Sequence, residues 1–314
     1  MTGMSLTRWR ADGELVPLTV RGRTVTVFRR LGGPVAGEVW TLLHGWPTTS
    51  WDWATIAPTV ERAHRTLVLD WPGLGASSKG DDVDYSIDAL AETVIALWAH
   101  EGIAATRIVA HDIGTTVAQE LLARGLEGRL EVEIASVTWL NGSLYPDLCS
   151  PTRSHLSPVG DATGPPWAAV IDGEGYCAGL AAVHHPTHQP TRETLDQHWV
   201  AFGGNDSVRE IPRFLRHLSE RHGRAERLVG AIETTSVPQR FIWGDSDPIA
   251  GSVQSAQIQQ RMGPSIDLVS FSDCSHYPHT ERPHDVAQEM LRPWPDSAWA
   301  PRRLSPFASH VAAS

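Results

Sequence analysis

The sequence predicts an α/β fold in which a mostly parallel sheet has helices on both faces and carries an inserted helical cap. Short apolar segments alternate with segments whose apolar residues recur at helical spacing, which is typical of a buried parallel sheet. Residues 146–232 interrupt this alternation, because they are rich in Pro, Gly and His and then acquire a helical pattern with a charged face. At 314 residues, the chain is long enough for one large domain with such an insertion.

The predicted strands are short runs of apolar and β-branched residues that are followed by turn-forming residues. They are Leu15–Val20, Thr24–Phe28, Val39–Leu43, Thr66–Leu69, Arg107–Ala110, Ile134–Leu140, Pro238–Trp243 and Ile266–Phe271. An Arg-Gly pair joins the first two strands, so we expect them to form an antiparallel hairpin.

Four helices are predicted between or after these strands. They are Trp53–Ala63, Ile87–His100, Thr115–Arg124 and His284–Leu291. Ser86 directly precedes the second helix, where a hydroxyl suits the N-cap position. We therefore divide the chain into an α/β core (1–145 and 233–300), a helical cap over the carboxyl edge of the sheet (146–232) and a small, polar tail that we expect to be poorly ordered (301–314).

The composition narrows the classes of partner. The formal net charge of −10 argues against a nucleic-acid partner, which would normally bind a basic patch. The three cysteines lack the spacing of a disulfide framework or a metal site, and no segment resembles a secretory signal or a membrane-spanning helix. We therefore expect a cytoplasmic protein without a cofactor, a metal or a membrane partner. The Trp-, Gly- and Pro-rich composition is typical of bacterial chains of high GC content. The sequence leaves open whether the protein forms a homodimer.

The segment after the fifth predicted strand has the form small-x-nucleophile-x-small. Its residues are Ala110, His111, Asp112, Ile113 and Gly114, and a predicted helix follows directly. A sharp strand-to-helix turn needs small residues at its two ends, and it presents the central side chain at the helix N-terminus. The helix dipole favours a carboxylate there. On this motif alone, Asp112 is explained equally well as a capping residue in a glycine-containing turn.

Three further polar segments follow predicted strands, at the edge where ligands bind in open α/β sheets. HGWP begins at His44 and follows the third strand, and GDSDP follows the seventh strand and contains Asp245 and Asp247. DCSH follows the last strand and ends at His276. Asp245 is explained more simply as a turn residue, and His279 as a loop histidine.

Together these four segments resemble the α/β-hydrolase family. The order in that family is nucleophile, acid and histidine, which Asp112, Asp247 and His276 reproduce. The resemblance implies that Asp247 orients His276 as the base. It also implies that the backbone N–H groups of Trp46 and Ile113 form the oxyanion hole.

An Asp in place of the Ser of esterases implies attack on an sp³ carbon that bears a leaving group, through a covalent alkyl ester at Asp112. An Asp nucleophile of this kind resembles two branches of the family, the epoxide hydrolases and the haloalkane dehalogenases. Dehalogenases carry a Trp after the nucleophile and often an Asn in the His-Gly segment, whereas this chain has Ile113 and Trp46. The resemblance, which covers roughly residues 39–290 and is poor over 150–195, therefore favours hydrolysis of a small apolar epoxide to a vicinal diol.

Two alternatives stay open at this point. One is dehalogenation of a haloalkane or haloacid. The other is a pathway-specific enzyme that uses the same pocket for elimination, cyclisation, or hydrolysis of a lactone or ester. A binding module without catalysis would have little need for the complete triad.

Opening an epoxide requires a proton donor, and epoxide hydrolases use cap tyrosines for this step. The chain has only four tyrosines beside 13 tryptophans. Tyr145, at the start of the cap, and Tyr176, inside it, are the predicted donors, while Tyr85 and Tyr277 lie outside the cap. The other candidates for substrate binding or proton donation are His44, His111, His184, His185, His188 and Trp199. The three histidines of HHPTH lack a spacing that would favour a metal site.

Overall fold

The computed structural model describes residues 3–148 and 172–294. Within these ranges, eight strands form one sheet with apolar clusters on both faces, which confirms the predicted α/β fold. The early cap (149–171) and the tail (301–314) lie outside the described residues. The division of the chain into core, cap and tail therefore stays a prediction. No helix of the described ranges has the length and hydropathy that are needed to cross a membrane.

All predicted strands are present, with ends that differ by a few residues. They are β1 (Gly13–Val20), β2 (Arg23–Gly32), β3 (Val39–Leu43), β4 (Arg65–Leu69), β5 (Ala105–His111), β6 (Glu133–Leu140), β7 (Gln239–Gly244) and β8 (Asp267–Phe271). The order across the sheet is β1-β2-β4-β3-β5-β6-β7-β8. β2 pairs antiparallel with β1 and β4, and all other neighbours are parallel. The carboxyl ends of β3 to β8 therefore meet at one edge.

The helices of the described ranges connect these strands and form the insertion. They are α1 (Leu6–Ala11), α2 (Ala57–Val60), α3 (Ile87–His100), α4 (Ile113–Leu126), α5 (Gly173–Ala182), α6 (Arg192–Phe202), α7 (Gly204–Val208), α8 (Ile211–Phe214), α9 (His217–Gly223), α10 (Ala225–Thr234), α11 (Ser252–Met262), α12 (Pro278–Glu281) and α13 (Pro283–Leu291). α3 has the predicted bounds, and the Ser86 hydroxyl accepts a hydrogen bond from the N–H of Ala89 as an N-cap.

The predicted single helix over Trp53–Ala63 is wrong. The chain forms a 3-10 helix over Ser50–Thr55 and then the short helix α2. Pro58 lies in the first turn of α2, and it has no N–H to continue the earlier helical hydrogen bonds. The break therefore falls just before the proline.

Successive residues of the central strands point to opposite faces of the sheet. Leu42 and Val109 belong to a cluster with α1, α2 and α13, whereas Leu43 and Ile108 belong to a cluster with α3, α4 and α10. This two-sided burial explains why these strands are continuous apolar runs rather than alternating ones. It also fixes the strand ends rigidly at the edge that carries the polar segments.

The described part of the insertion is helical and contacts the core at several points. The Tyr85 hydroxyl donates to Glu210 at 2.7 Å, and the N–H of Gly75 donates to the carbonyl of Phe202 at 2.9 Å. The N–H of His276 donates to the carbonyl of Val183 at 3.1 Å. The insertion is therefore attached both to the loop before α3 and to the loop that carries His276.

Candidate active site

Asp112 occupies the tight turn between β5 and α4. Its φ of 49° lies in a region that non-glycine residues seldom adopt. At Gly114, a Cβ atom would lie 2.3 Å from the carbonyl oxygen of Leu43, so a side chain there would collide with β3. The Thr115 hydroxyl donates to the Asp112 carbonyl at 2.6 Å, which helps to hold the turn. The need for a small residue at Gly114 agrees with the small-x-nucleophile-x-small motif.

Two different groups face the two oxygens of the Asp112 carboxylate. Oδ1 accepts a hydrogen bond from the backbone N–H of Trp46 at 2.9 Å, and Oδ2 lies 3.6 Å from Nε2 of His276. Burial alone would raise the pKa of Asp112, but His276, His111 and the N–H of Trp46 hold it well below its usual range. The side chain is still 22% exposed. It is therefore an ionised carboxylate that faces open space.

His276 is bound to Asp247 on its other side. Nδ1 of the imidazole lies 2.8 Å from Oδ2 of Asp247, and both side chains are buried. Burial alone would lower the pKa of His276, but the charge of Asp247 and the nearby Asp112 carboxylate outweigh it and raise the pKa to about 10. Asp112, His276 and Asp247 are thus brought together in the predicted arrangement, and Asp245 is elsewhere, bound by the Ser255 hydroxyl.

Asn141 is a site residue that the sequence analysis did not identify. It follows β6, and its amide Nδ2 donates to Oδ2 of Asp247 and to the carbonyl of Gly244, both at 2.9 Å. Its Oδ1 accepts from the N–H of Gly244 at 2.7 Å. The amide therefore fixes the acid from behind. The signal was present, because Asn141 is a polar residue directly after a central strand.

The HGWP segment places a backbone donor at the nucleophile. Trp46 contributes its N–H to Asp112, and its own indole Nε1 is buried without a hydrogen-bond partner in the described part of the chain. Nδ1 of His44 lies 2.7 Å from the Gly45 carbonyl, and Nε2 accepts from the N–H of Trp71 at 3.1 Å. Both ring nitrogens of His44 are thus engaged with backbone, which leaves neither for a substrate. The N–H of Ile113, at the start of α4, stays the predicted second oxyanion donor.

The two predicted proton-donor tyrosines lie in different surroundings. The Tyr145 ring packs against the Arg261 guanidinium at 5.0 Å, with the Glu233 carboxylate nearby, and its backbone is bound to Gln254. The Tyr176 hydroxyl donates to the carbonyl of Pro47 at 3.0 Å, one residue from Trp46. Tyr176 therefore reaches the HGWP segment, whereas the contacts of Tyr145 are with α10 and α11.

Tyr277 also turns inward, although it lies outside the cap. Its ring is fully buried and packs against His276 at 4.9 Å and parallel to His184 at 4.8 Å. Its hydroxyl lies near Thr48 and in the electrostatic field of Asp112. Burial raises the pKa of Tyr277, so its hydroxyl keeps its proton. The sequence analysis preferred the two cap tyrosines and kept Tyr277 only as an alternative, because it lies outside the cap.

The remaining candidates are distributed around this centre. The His111 ring lies behind the triad, where Nε2 is 2.8 Å from the carbonyl oxygen of His276. Trp199 packs against Tyr176 at 5.3 Å. His185 binds Thr187 of its own turn, and His188 lies 3.8 Å from Asp273. Within the described ranges, the three histidines of HHPTH do not converge on one point.

A model of the alpha/beta hydrolase family matches residues 42–289. This span is most of the chain and contains Asp112, Asp247 and His276. The chain belongs to the alpha/beta hydrolase family. The resemblance that the strand-end motifs indicated is therefore confirmed, and so is the expected fold.

Two relatives of this α/β-hydrolase are similar over most of their length. It is 30% identical over 295 residues to the putative hydrolase LipZ of Mycobacterium tuberculosis, and the alignment covers 93% of this chain and 98% of LipZ. It is 31% identical over 285 residues to the mesoderm-specific transcript homolog protein of Bos taurus, and the alignment covers 89% of this chain and 84% of that protein. The stretches HGWPTTSWDW and AHDIGTTVAQELLAR resemble the mesoderm-specific transcript protein, and this match confirms that likeness.

Solved structures of the same fold include the haloalkane dehalogenase DbeA from Bradyrhizobium elkani. The TM-score is 0.69 at 20% identity, over 89% of this hydrolase and 96% of DbeA. A bacterial membrane phospholipase A gives a TM-score of 0.69 at 21% identity, over 90% of this hydrolase and 87% of that chain. At these identities, the likeness establishes the shared fold.

Proposed function

We propose that this hydrolase cleaves its substrate through a covalent alkyl ester on Asp112, and that the substrate is an epoxide that is opened to a vicinal diol. The observation that carries the proposal is the environment of the Asp112 carboxylate. One oxygen is bound by the Trp46 N–H at 2.9 Å, while the other faces His276 and is free to attack. A carboxylate nucleophile with a positioned base beside it suits an sp³ carbon that bears a leaving group.

In the first step, Oδ2 of Asp112 attacks the less hindered carbon of the epoxide. The C–O bond of the ring breaks, and the ring oxygen takes up a proton from the enzyme. Tyr277 supports this step, because its ring is buried against His276 and its hydroxyl keeps its proton in the field of Asp112. Tyr176 lies on the same side of the site, although its hydroxyl is hydrogen-bonded to the Pro47 carbonyl in this structure.

In the second step, His276 takes a proton from water, which attacks Cγ of the Asp112 ester. The charge that develops on Oδ1 falls where the Trp46 N–H already donates. Collapse of this intermediate breaks the acyl bond to Oδ2, which takes the proton from His276 and leaves as the alcohol. The water oxygen stays on Asp112, and the new carboxyl group returns its proton to His276. Nε2 of His276 has no hydrogen-bond partner among the described residues, which leaves it available for this water.

Ester formation itself prepares His276 to act as a base. In the resting enzyme, the Asp112 carboxylate is one of the charges that raise the pKa of His276 to about 10 against the effect of burial. Esterification removes that charge, because an alkyl ester is neutral. The pKa of His276 then falls, so the imidazolium can pass its proton to the tyrosinate that ring opening leaves. The neutral imidazole is then able to accept a proton from water.

A second candidate reaction is dehalogenation, and the one observation in its favour is the indole N–H of Trp46, which is unpaired among the described residues. Its Nε1 is a buried donor without a hydrogen-bond partner in the described ranges, and its backbone N–H is already at Asp112. A buried indole N–H without a partner could donate to a leaving halide. Against this, Ile113 follows the nucleophile and offers no side-chain donor.

The experiment is a trapping reaction with two substrates, styrene oxide and 1,2-dibromoethane. His276→Gln should accumulate the ester, so mass spectrometry of the intact protein should show a gain equal to the added epoxide on the peptide that contains Asp112. Asp112→Asn should neither gain mass nor turn over. Halide release from dibromoethane with no reaction of styrene oxide would favour the second candidate, and no adduct with either substrate would contradict attack by Asp112.

A further inference from the structure

We propose that this hydrolase holds a divalent metal ion of the zinc class in its interior, bound by Asp52, His111 and His279. The three side chains are fully buried. Each offers one ligand atom, and these atoms all lie within 4.8 Å of one another. They come from three separate segments of the core: the 3-10 helix after β3, the end of β5 and the short helix α12.

The distances suit a small ion better than a set of direct hydrogen bonds. Nε2 of His279 lies 3.8 Å from Oδ2 of Asp52, which is too long for a hydrogen bond. Two ligands that each lie about 2.1 Å from a tetrahedral zinc ion are about 3.4 Å apart. A contraction of a few tenths of an ångström would therefore bring this pair to bonding geometry.

The cluster contains several buried polar atoms that form no hydrogen bond within the described residues. They are Nδ1 of His111, both ring nitrogens of His279, Oδ1 of Asp52 and Nδ1 of His198. Desolvated polar atoms without partners are costly, and their number here points to a ligand that binds one atom from each of Asp52, His111 and His279. The second ring nitrogen of His279 would then carry the proton. A cation accepts the lone pairs of imidazole and carboxylate at the same time.

Neighbouring groups already orient two of the proposed ligands. Nε2 of His111 lies 2.8 Å from the carbonyl oxygen of His276, so this nitrogen must donate its N–H. The tautomer is thereby fixed with the lone pair on Nδ1, as in many metal-bound histidines. The Thr48 hydroxyl donates to Oδ2 of Asp52.

A cavity adjoins one edge of the cluster. A cavity of about 530 Å³ lies between the N-terminal segment, the 3-10 helix and the insertion, and Asp52 and His198 are among its lining residues. Nδ1 of His198 lies 3.6 Å from Oδ1 of Asp52. His198 is therefore placed to complete the ligand set or to guide an ion inward.

The ion would connect the cap side of the molecule to the catalytic base. His111 links the cluster to the backbone of His276, and His198 belongs to α6 of the insertion. We therefore assign the ion a positioning role, without contact with the substrate. The inference does not depend on which substrate the hydrolase uses.

The experiment measures metal binding by the full-length, untagged protein. After treatment with a chelator and dialysis, the protein is titrated with Zn²⁺ and with Co²⁺, and bound metal is measured by mass spectrometry and by visible absorption of Co²⁺. We expect about one ion per chain, a rise in Tm on binding, and the intense visible bands of four-coordinate Co²⁺. His279→Gln should weaken binding by about a hundredfold or more, whereas His188→Gln, at the rim of the same cavity, should leave it unchanged.

Two results would overturn the proposal. One is the absence of stoichiometric binding by the wild-type protein, and the other is binding that His188→Gln weakens as much as His279→Gln does. If His279→Gln does not fold, X-ray absorption of the zinc-loaded wild-type protein decides instead. Nitrogen and oxygen ligands at about 2.0–2.1 Å with imidazole scattering support the site, and sulfur ligation or scattering without imidazole contradicts it.

Discussion

Nε2 of His276 lies 3.6 Å from Oδ2 of Asp112, so the base and the nucleophile stand side by side without a hydrogen bond between them. In a serine-based triad the histidine takes a proton from the nucleophile, which requires a direct hydrogen bond. An aspartate nucleophile is already ionised and has no proton to give. The separation in this hydrolase therefore suits a base that acts on water in the second step.

The pH dependence of the two steps should differ. Ester formation should change little across neutral pH, because the pKa of Asp112 lies well below its usual range and the carboxylate stays ionised. Ester breakdown should become faster as the pH rises, since neutral His276 is the active form. Its apparent pKa should lie below the value of about 10 for the resting enzyme. Rapid-quench single turnovers at several pH values measure both rates, and ester breakdown that slows with rising pH would contradict the assignment of the base.

Asn141→Asp should lower kcat and leave KM nearly unchanged. The amide donates to Asp247 from behind the triad, and a carboxylate in its place would repel Asp247 and weaken its hold on His276. Loss of a hydrogen bond to a charged group costs about 1.5–3 kcal/mol, which corresponds to a rate loss of about ten- to a hundredfold. Asn205→Asp makes the same chemical change at an exposed position of α7 and serves as the control. An unchanged kcat in Asn141→Asp would show that Asp247 needs no such support.

Gly45→Ala should impair catalysis through a clash at the nucleophile. A Cβ atom at this position would lie 2.7 Å from Cβ of Asp112 and 2.7 Å from Nδ1 of His111. Since a shift of about 1 Å in a reacting group can cost about a hundredfold in rate, we expect a loss of that order in kcat. Gly125→Ala, where a Cβ atom meets nothing within 4 Å, should retain full activity. Equal activities of the two variants would mean that the turn accommodates the methyl group.

Tyr277→Phe tests the proton donor that is assigned to epoxide opening. The variant keeps the buried ring and removes the hydroxyl, so we expect turnover of an epoxide to fall by about 10²–10⁴. Tyr145→Phe should have a small effect, because the Tyr145 ring packs against Arg261, with the Glu233 carboxylate nearby, and not against the triad. The measurement is kcat with styrene oxide for both variants. A larger loss in Tyr145→Phe would restore the donor that the sequence analysis favoured.

The sequence predicted the strands, the sheet class and the triad because these depend on local signals. Apolar runs mark the buried strands, and β3, β5 and β7 each end in a polar motif at the same edge. Fold rules then bring those motifs together without knowledge of the packing. α3 was equally accessible, since Ser86 and the apolar spacing define its start and its buried face.

The parts that the sequence could not predict depend on tertiary packing. Tyr145 and Tyr277 have the same side chain, and only the neighbouring helices decide that Tyr277 faces the triad while Tyr145 meets Arg261. Asp52 and His279 come from distant segments, so no spacing rule connects them. α11 was missed because it buries few apolar residues, chiefly Ile258 and Met262, which gives only a weak amphipathic pattern.

The most direct test of the central claim is a single turnover of styrene oxide in H₂¹⁸O with enzyme in excess. If Asp112 forms an alkyl ester that water attacks at Cγ, the diol should carry no ¹⁸O after the first turnover, and one ¹⁸O should be found in the peptide that contains Asp112. If water attacks the epoxide directly, the label should be in the diol and the Asp112 peptide should be unlabelled. The second result would contradict nucleophilic catalysis by Asp112.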